Sequence, residues 1–233
     1  MIKLFRNIRQ HMIKQNKVSN YLFYAVGEIV LVVIGILIAL QVNNWNELRK
    51  LKTTEREFFK GVRNDLIQDK AYMNSVIEKQ DEKIAIYNFL DNDFSALYNN
   101  DRKKLDSLLR IYFVSQRTFY PISGSFESAI SSNEFNKFKS KSLKMTVIKL
   151  YNSIYARLMD NGKMTDDRWF YFVRKYSHMR RTGHIDNLSP EQLEEFRDDM
   201  YYHVFGLEYY KSVLKTAIAE IDTFLDNEQK AWE

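Results

Sequence analysis

The side chains able to do acid–base or metal chemistry are few and badly spaced for it. There are four histidines, His11, His178, His184 and His203. His178 and His184 stand six apart, with Gly183 between them as an expected helix end, so they share no helical face that would hold a metal. The sequence has no HExxH motif, phosphate-binding glycine loop, dinucleotide fingerprint or nucleophile elbow. A di-metal carboxylate centre needs Glu-x-x-His on helices; the nearest approach is Glu208, followed by Lys211 where the histidine belongs. Asp166 with Asp167, and Glu194 with Glu195, fall near the starts of expected helices, where the helix dipole favours anions. Asp198 and Asp199 follow Arg197 and read as a solvated face. The absence of cysteine excludes disulfides, thiol nucleophiles and cysteine-ligated metals. No catalytic, cofactor-binding or metal-binding residue is assigned, and the expectation is a protein that is not an enzyme. His178 and His203 are the side chains to remove first if a turnover were measured.

Two aromatic stretches, "WFYFVRKY" from Trp169 and "MYYHVFGLEYY" from Met200, concentrate surface-capable rings. Trp169, Tyr201, Tyr202, Tyr209 and Tyr210 form a candidate ligand or partner patch. The competing reading is core packing with the hydroxyls reaching solvent.

These groups must be carried by helices. The chain has 233 residues with only two prolines and seven glycines, and is rich in strong helix formers. Its most informative segment is "YAVGEIVLVVIGILIALQVNNW", Tyr24 to Trp45. From Tyr21 to Val42 a helix would rise about 33 Å, matching a bilayer core of about 30 Å. Tyr21, Tyr24 and Trp45 stand where interfacial aromatics belong. No small-x-small cleavage site follows the apolar run, so it reads as an uncleaved transmembrane anchor rather than a signal peptide.

The net charge of +5 is concentrated in the N-terminal tail. Lys3, Arg6, Arg9, Lys14 and Lys17 precede the apolar run, and the remainder of the chain is nearly balanced. No clustered basic face exists beyond the tail, so no nucleic-acid partner is expected. Met1, Leu4, Phe5, Ile8 and Met12 recur at helical spacing among the cations, which suits a helix lying on an anionic leaflet. Lys and Arg counts flanking the apolar run tie. Carrying five cations across a membrane potential would cost about 2.3 kcal/mol each per 100 mV, so the N-terminus is expected in the cytoplasm. The expected organisation is a basic amphipathic cytoplasmic tail at 1–20, a transmembrane helix at 21–42, and an all-α extracytoplasmic domain at 43–233. The location is then a bacterial inner membrane, with the C-terminal domain in the periplasm.

Within the apolar helix, Ala25, Glu28, Val32, Gly35 and Ala39 fall on one stripe. Small residues admit another helix closely, and a carboxyl on the same face can hydrogen-bond to it. The stripe is the candidate contact with a second copy or another membrane protein. The alternative is a glutamate snorkelling toward headgroups.

"YAVGEIVLVVIGILIALQVNNWNE", preceded by "IRQHMIKQNKVSNYLF", resembles the N-terminus of an uncharacterised family of single-pass membrane proteins common in the Bacteroidota. "SGSFESAISSNEF" from Ser123 and "LKMTVIKLYNSIYARL" from Leu143 are similar to a second stretch of that family. The family carries glycine where this chain has Asn133, the next best residue for a left-handed helix end. The resemblance implies a bacterial inner-membrane protein of unknown biochemical role and brings no catalytic residues.

Beyond Trp45 the spacing predicts a long helix that runs on from the membrane segment. Its apolar stripe is Leu48, Leu51, Phe58, Val62, Leu66, Met73, Ile77, Ile84 and Tyr87, and it ends near Asp91–Phe94. Asp101 caps a second helix through about Ser115. "TFYPISG" is a connector, because Pro121 removes a donor and biases Tyr120 to extended geometry. A short helix capped by Ser125 follows, with Phe126, Ala129 and Ile130 inward. Another runs from about Lys141 to Asp160 and closes at Gly162. Thr165 or Asp166 starts the next, ended by Gly183. "SPEQ" gives the last helix an N-cap at Ser189, proline at its first position and a capping-box Gln192. The fold class is all-α, one N-terminal transmembrane helix followed by an elongated helical bundle, with coiled-coil self-association as a competing use of the stripes. The expected partners are membrane lipids and a second copy or another membrane protein. The function read from this is helix-mediated association in an envelope complex; a ligand-sensing helical module with its effector on another chain is the alternative.

Overall fold

The computed structural model describes residues 18–232, the first four of them by backbone alone. The expected amphipathic tail and the side chain of Tyr21 therefore lie outside the described residues. Every regular element described is a helix: α1 Val18–Asn100, α2 Arg102–Tyr112, α3 Gly124–Ser131, α4 Lys141–Lys149, α5 Ala156–Lys175, α6 Ser177–Thr182 and α7 Pro190–Trp232. A 3-10 turn covers Phe135–Lys137, and a π segment, Leu150–Tyr155, joins α4 to α5. The chain divides into two compact units, Met1–Glu55 and Arg56–Glu233.

In the first unit most of the described apolar residues are exposed. α1 is long and apolar enough here to cross a membrane, and none of its most apolar 18-residue window is buried. Leu48, expected on a core stripe, is half exposed.

The second unit is built on a strict three-four spacing. On α1 the repeat runs through the buried Phe59, Val62, Leu66, Asp69, Met73, Val76, Gln80 and Lys83, and resumes at Leu90, Phe94 and Leu97, with Phe58 and Ile84 buried beside it. On α7 it runs Phe196, Met200, His203, Leu207, Tyr210, Leu214, Ala217, Ile221, Phe224 and Glu228. On α5 it runs Leu158, Gly162, Thr165, Trp169, Phe172 and Tyr176. Such a repeat is the seam of coiled-coil-like packing. α7 packs closely on α5 and reaches α4 and the π segment. Cross-links at Arg63–Glu228, Lys70–Asp222, Lys211–Asp81 and Arg197–Asp91 set α7 antiparallel to this part of α1. Mostly exposed pairs of this kind contribute about 0–1 kcal/mol each, so they fix register more than stability.

Several sequence expectations are met, each for a local reason. Asp101 accepts the backbone N–H of Lys104 at 3.1 Å and caps α2. The capping box of α7 is complete: Ser189 Oγ accepts the Gln192 N–H at 3.2 Å, and Gln192 Oε1 accepts the Ser189 N–H at 2.9 Å. Gly183 ends α6 with φ at 70°. Asn133 takes the left-handed position after α3 with φ at 56°. Asn133→Ala should therefore lower stability by about 1–2 kcal/mol, since alanine keeps the β-carbon at positive φ but lacks the polar side chain that eases this conformation and accepts the Asn136 side-chain amide at 2.6 Å. Thermal unfolding followed by circular dichroism checks this, and an unchanged midpoint would refute it.

Other expectations fail where tertiary packing overrides local preference. α1 does not stop at Asp91–Phe94, because Leu90, Phe94 and Leu97 continue its buried stripe and hold the polar stretch helical. α2 stops at Tyr112, short of Ser115. α3 is preceded by Ser123 at its N-cap rather than Ser125, and Ile130 is half exposed rather than inward. Gly162 does not close a helix and Thr165 does not start one; helix continues to Lys175. A β-carbon on Gly162 would lie 3.1 Å from the Tyr210 hydroxyl, so the glycine serves a close approach of α7 to α5.

Candidate functional site

Polar residues occupy core positions of the three-four stripe, and they define the most unusual surroundings in the second unit. Lys83 is 5% exposed. Its ammonium donates to the carbonyls of Tyr112 and Val114, both at 2.7 Å, and lies 3.5 Å from the centre of the Trp169 ring. Tyr112 is the last residue of α2, so the cation sits on the negative end of that helix and its orphan carbonyls. Burial, and then the positive charge of Arg180, push the Lys83 ammonium down to about 7, while Glu82 opposes them. Arg180 also lies over the Trp169 ring, with 5.9 Å to its centre.

Beside Lys83, the Tyr112 hydroxyl and His203 Nδ1 are 2.6 Å apart. Burial, then Lys83 and Arg168, push the imidazole down to about 3, and burial raises the phenol well above its usual range. The pair is thus neutral near pH 7 and acts as a polar tether between α2 and α7. Phe172 stacks on the imidazole and Trp169 lies beside it, with ring centres 5.9 and 5.2 Å away. His203 Nε2 and both side-chain amide atoms of Gln80 have no hydrogen-bond partner among the described residues.

A second cluster fastens the connector between α2 and α3. Pro121 denies this stretch helix, so its backbone groups need partners from elsewhere. Asp69 accepts the Ile122 N–H at 3.0 Å and the Tyr155 hydroxyl at 2.8 Å. Tyr210 Oη accepts the Phe119 N–H, Tyr72 donates to the Thr118 carbonyl, and Tyr151 donates to the Ile122 carbonyl. Asp65 accepts the Ser125 N–H, and the Thr118 hydroxyl donates to Asp166. The π segment sets both Tyr151 and Tyr155 inward, where Tyr151 also stacks on Phe126 with 4.6 Å between ring centres. Burial, more than Asp65, raises the Asp69 carboxyl to about 6 against the lowering effect of its two donors.

The aromatic patch expected from sequence separates into two populations. Trp169 and Tyr210 are core residues, 4% and 0% exposed, while Tyr201, Tyr202 and Tyr209 are about half exposed, as is Phe205. Arg168 lies over Tyr202 with 4.6 Å to the ring centre, and Arg157 donates to the Tyr209 hydroxyl at 3.3 Å. His11 lies outside the described residues, and the other two described histidines are not gathered together: His178 pairs with Asp186 and His184 with Asp106. Among the described residues no group of three or more His, Asp or Glu could hold a metal ion.

In the first unit, Ala25, Glu28, Val32, Gly35 and Ala39 share one helix. Ala25 and Glu28 are partly covered, whereas Val32, Gly35 and Ala39 are exposed. Nothing approaches within 4 Å of where a β-carbon on Gly35 would stand. Tyr24 is partly covered and Trp45 is exposed, with the Arg49 guanidinium 5.9 Å from its ring centre.

Sequence reading missed Lys83, Asp69 and Gln80. The available signal was spacing, since each falls on the three-four stripe, Asp69 between Leu66 and Met73, and Gln80 and Lys83 next to one another after Val76. Comparison with known proteins returned no curated protein and no solved structure that matches. Residues 28–180 match the family of unknown function DUF6090. That match spans more than half of the 233 residues and runs from Glu28 in the apolar segment to Arg180 within α6, and so this chain is a member of the DUF6090 family.

Proposed function

We propose that this protein is a single-pass bacterial inner-membrane protein that works by association rather than by turnover, as an assembly or regulatory component of an envelope complex. The N-terminal signature is read as that of Bacteroidota envelope proteins, with the basic tail in the cytoplasm and the helical domain in the periplasm. The observation that carries this reading is the run of apolar side chains after residue 21, long enough to span a bilayer, with none of its most apolar 18-residue window buried. In water such a surface would be a large aggregation liability; in lipid it is solvated. The stripe of Glu28, Gly35 and Ala39 supplies the contact with another membrane helix, and exposed Tyr201, Tyr202 and Tyr209 supply a second candidate contact.

The chain has no cysteine, so a single Ala39→Cys substitution reports on neighbouring copies without background. Oxidation in membranes should give a crosslinked dimer. Adding Glu28→Leu should reduce its yield by roughly three- to twentyfold, the worth of one interhelical hydrogen bond of about 0.6–1.7 kcal/mol. Yield independent of Glu28 would refute the role of the stripe. Recovery of well-folded full-length protein without detergent would overturn the membrane reading.

A further inference from the structure

The first turns beyond the apolar segment carry a cluster that the association reading does not use. Trp45, Arg49 and Lys52 stand at i, i+4 and i+7 and therefore share one face of α1. All three are exposed. Side chains on a helix lean toward its N-terminus, and here that is the side of the apolar segment. Arg49 shows the lean directly: its guanidinium lies over the ring of Trp45, one turn back. The charge is thus held at about the level of residue 45, roughly 5 Å beyond Val42 by helical rise. A headgroup layer is about 5–8 Å deep on each side of the hydrocarbon.

The contact with the indole uses no N–H donor of the guanidinium in a hydrogen bond, so the donors stay unspent. No side-chain hydrogen bond or ion pair of Arg49 or Lys52 occurs among the described residues; only the Arg49 carbonyl is used, by Thr53. A planar fork of free donors matches two oxygens of a phosphate. Lys50 and Lys52 add positive charge nearby, with Glu47 as the acid of this turn.

We infer that Trp45 and Arg49 form a clamp for the phosphate of an anionic phospholipid, with Lys52 as the second cation on the same face. The inference rests on the membrane reading. A zwitterionic lipid fits less well, because its own cation competes with Arg49 for the phosphate.

The test uses full-length protein in lipid nanodiscs made from phosphatidylcholine with phosphatidylglycerol, followed by measurement of the lipids retained after mild delipidation. Phosphatidylglycerol should be enriched over its share of the bulk mixture. Arg49→Ala should reduce that enrichment by roughly tenfold, the worth of a charge-assisted bidentate contact. Arg49→Lys keeps the charge but not the fork and should restore only part of it. Trp45→Ala should weaken retention by releasing the guanidinium from its depth. Millimolar inorganic phosphate should not displace the lipid; if it does, the site takes free phosphate and the lipid clamp is refuted. Retention equal to bulk in the parent protein, or unaffected by Arg49→Ala, also refutes it. Detergent requirement is scored in parallel. A parent protein that needs no detergent refutes the membrane reading itself, whereas one that needs detergent yet shows no enrichment refutes the clamp alone.

Discussion

Lys83→Met should destabilise the helical unit by about 2–4 kcal/mol at neutral pH. The methionine fills most of the space but leaves the carbonyls of Tyr112 and Val114 without their donor and ends the contact with the Trp169 ring. Each buried group left unpaired costs about 1–3 kcal/mol. Removal of the desolvated charge offsets part of that cost. The pH dependence distinguishes this mechanism from simple repacking. Lys83 ionises near 7 in the folded protein and near 10.5 when unfolded. Between those values the unfolded chain holds a proton that the folded chain has released. Stability of the parent should therefore rise with pH across this window, by up to about 1.4 kcal/mol per pH unit. The methionine variant lacks that slope, so its deficit should grow from pH 7 to pH 10. Thermal unfolding in detergent, followed at several pH values, reads both effects. Parallel profiles would show that Lys83 is not the titrating group.

Asp69→Ala should cost about 2–5 kcal/mol, because it strands the Ile122 N–H and the Tyr155 hydroxyl together in the core. The connector should loosen first, which amide hydrogen exchange at Phe119–Ser123 would detect before global unfolding. Asp69→Asn keeps an acceptor for Ile122 and should cost less than alanine. Here the pH dependence has the opposite sign. The folded carboxyl ionises near 6 rather than its usual 3.8, so the folded chain holds the extra proton between those values. Stability should be greatest at the acid end and fall as pH rises from about 4 to 6, then level off. Asp69→Asn should flatten that part of the profile. A parent protein with no slope in this window would show that Asp69 is not protonated in the fold.

The two slopes separate cleanly, since one acts below pH 6 and the other above pH 7. They come from the same structural device: a polar residue at a seam position, recruited by a backbone segment that helix cannot satisfy. Lys83 holds the end of α2, and Asp69 holds the connector imposed by Pro121.

The sequence by itself determined the all-helical class, the uncovered apolar run after residue 21, the Asp101 and Ser189 caps, and the left-handed ends at Asn133 and Gly183. All of these are written in contiguous residues, through hydrophobic length, capping chemistry and the tolerance of Gly and Asn for positive φ. Tertiary structure alone decided that α1 continues to Asn100, that Gly162 lies inside a helix, and that Trp169 and Tyr210 part company with Tyr201, Tyr202 and Tyr209. The Lys83 and Asp69 clusters belong to the same group. Their polar side chains sat visibly at three-four positions, yet their partners lie 29 to 86 residues away along the chain. Spacing along a helix reveals that a polar group will be buried; only the packing of other segments against it reveals what satisfies it.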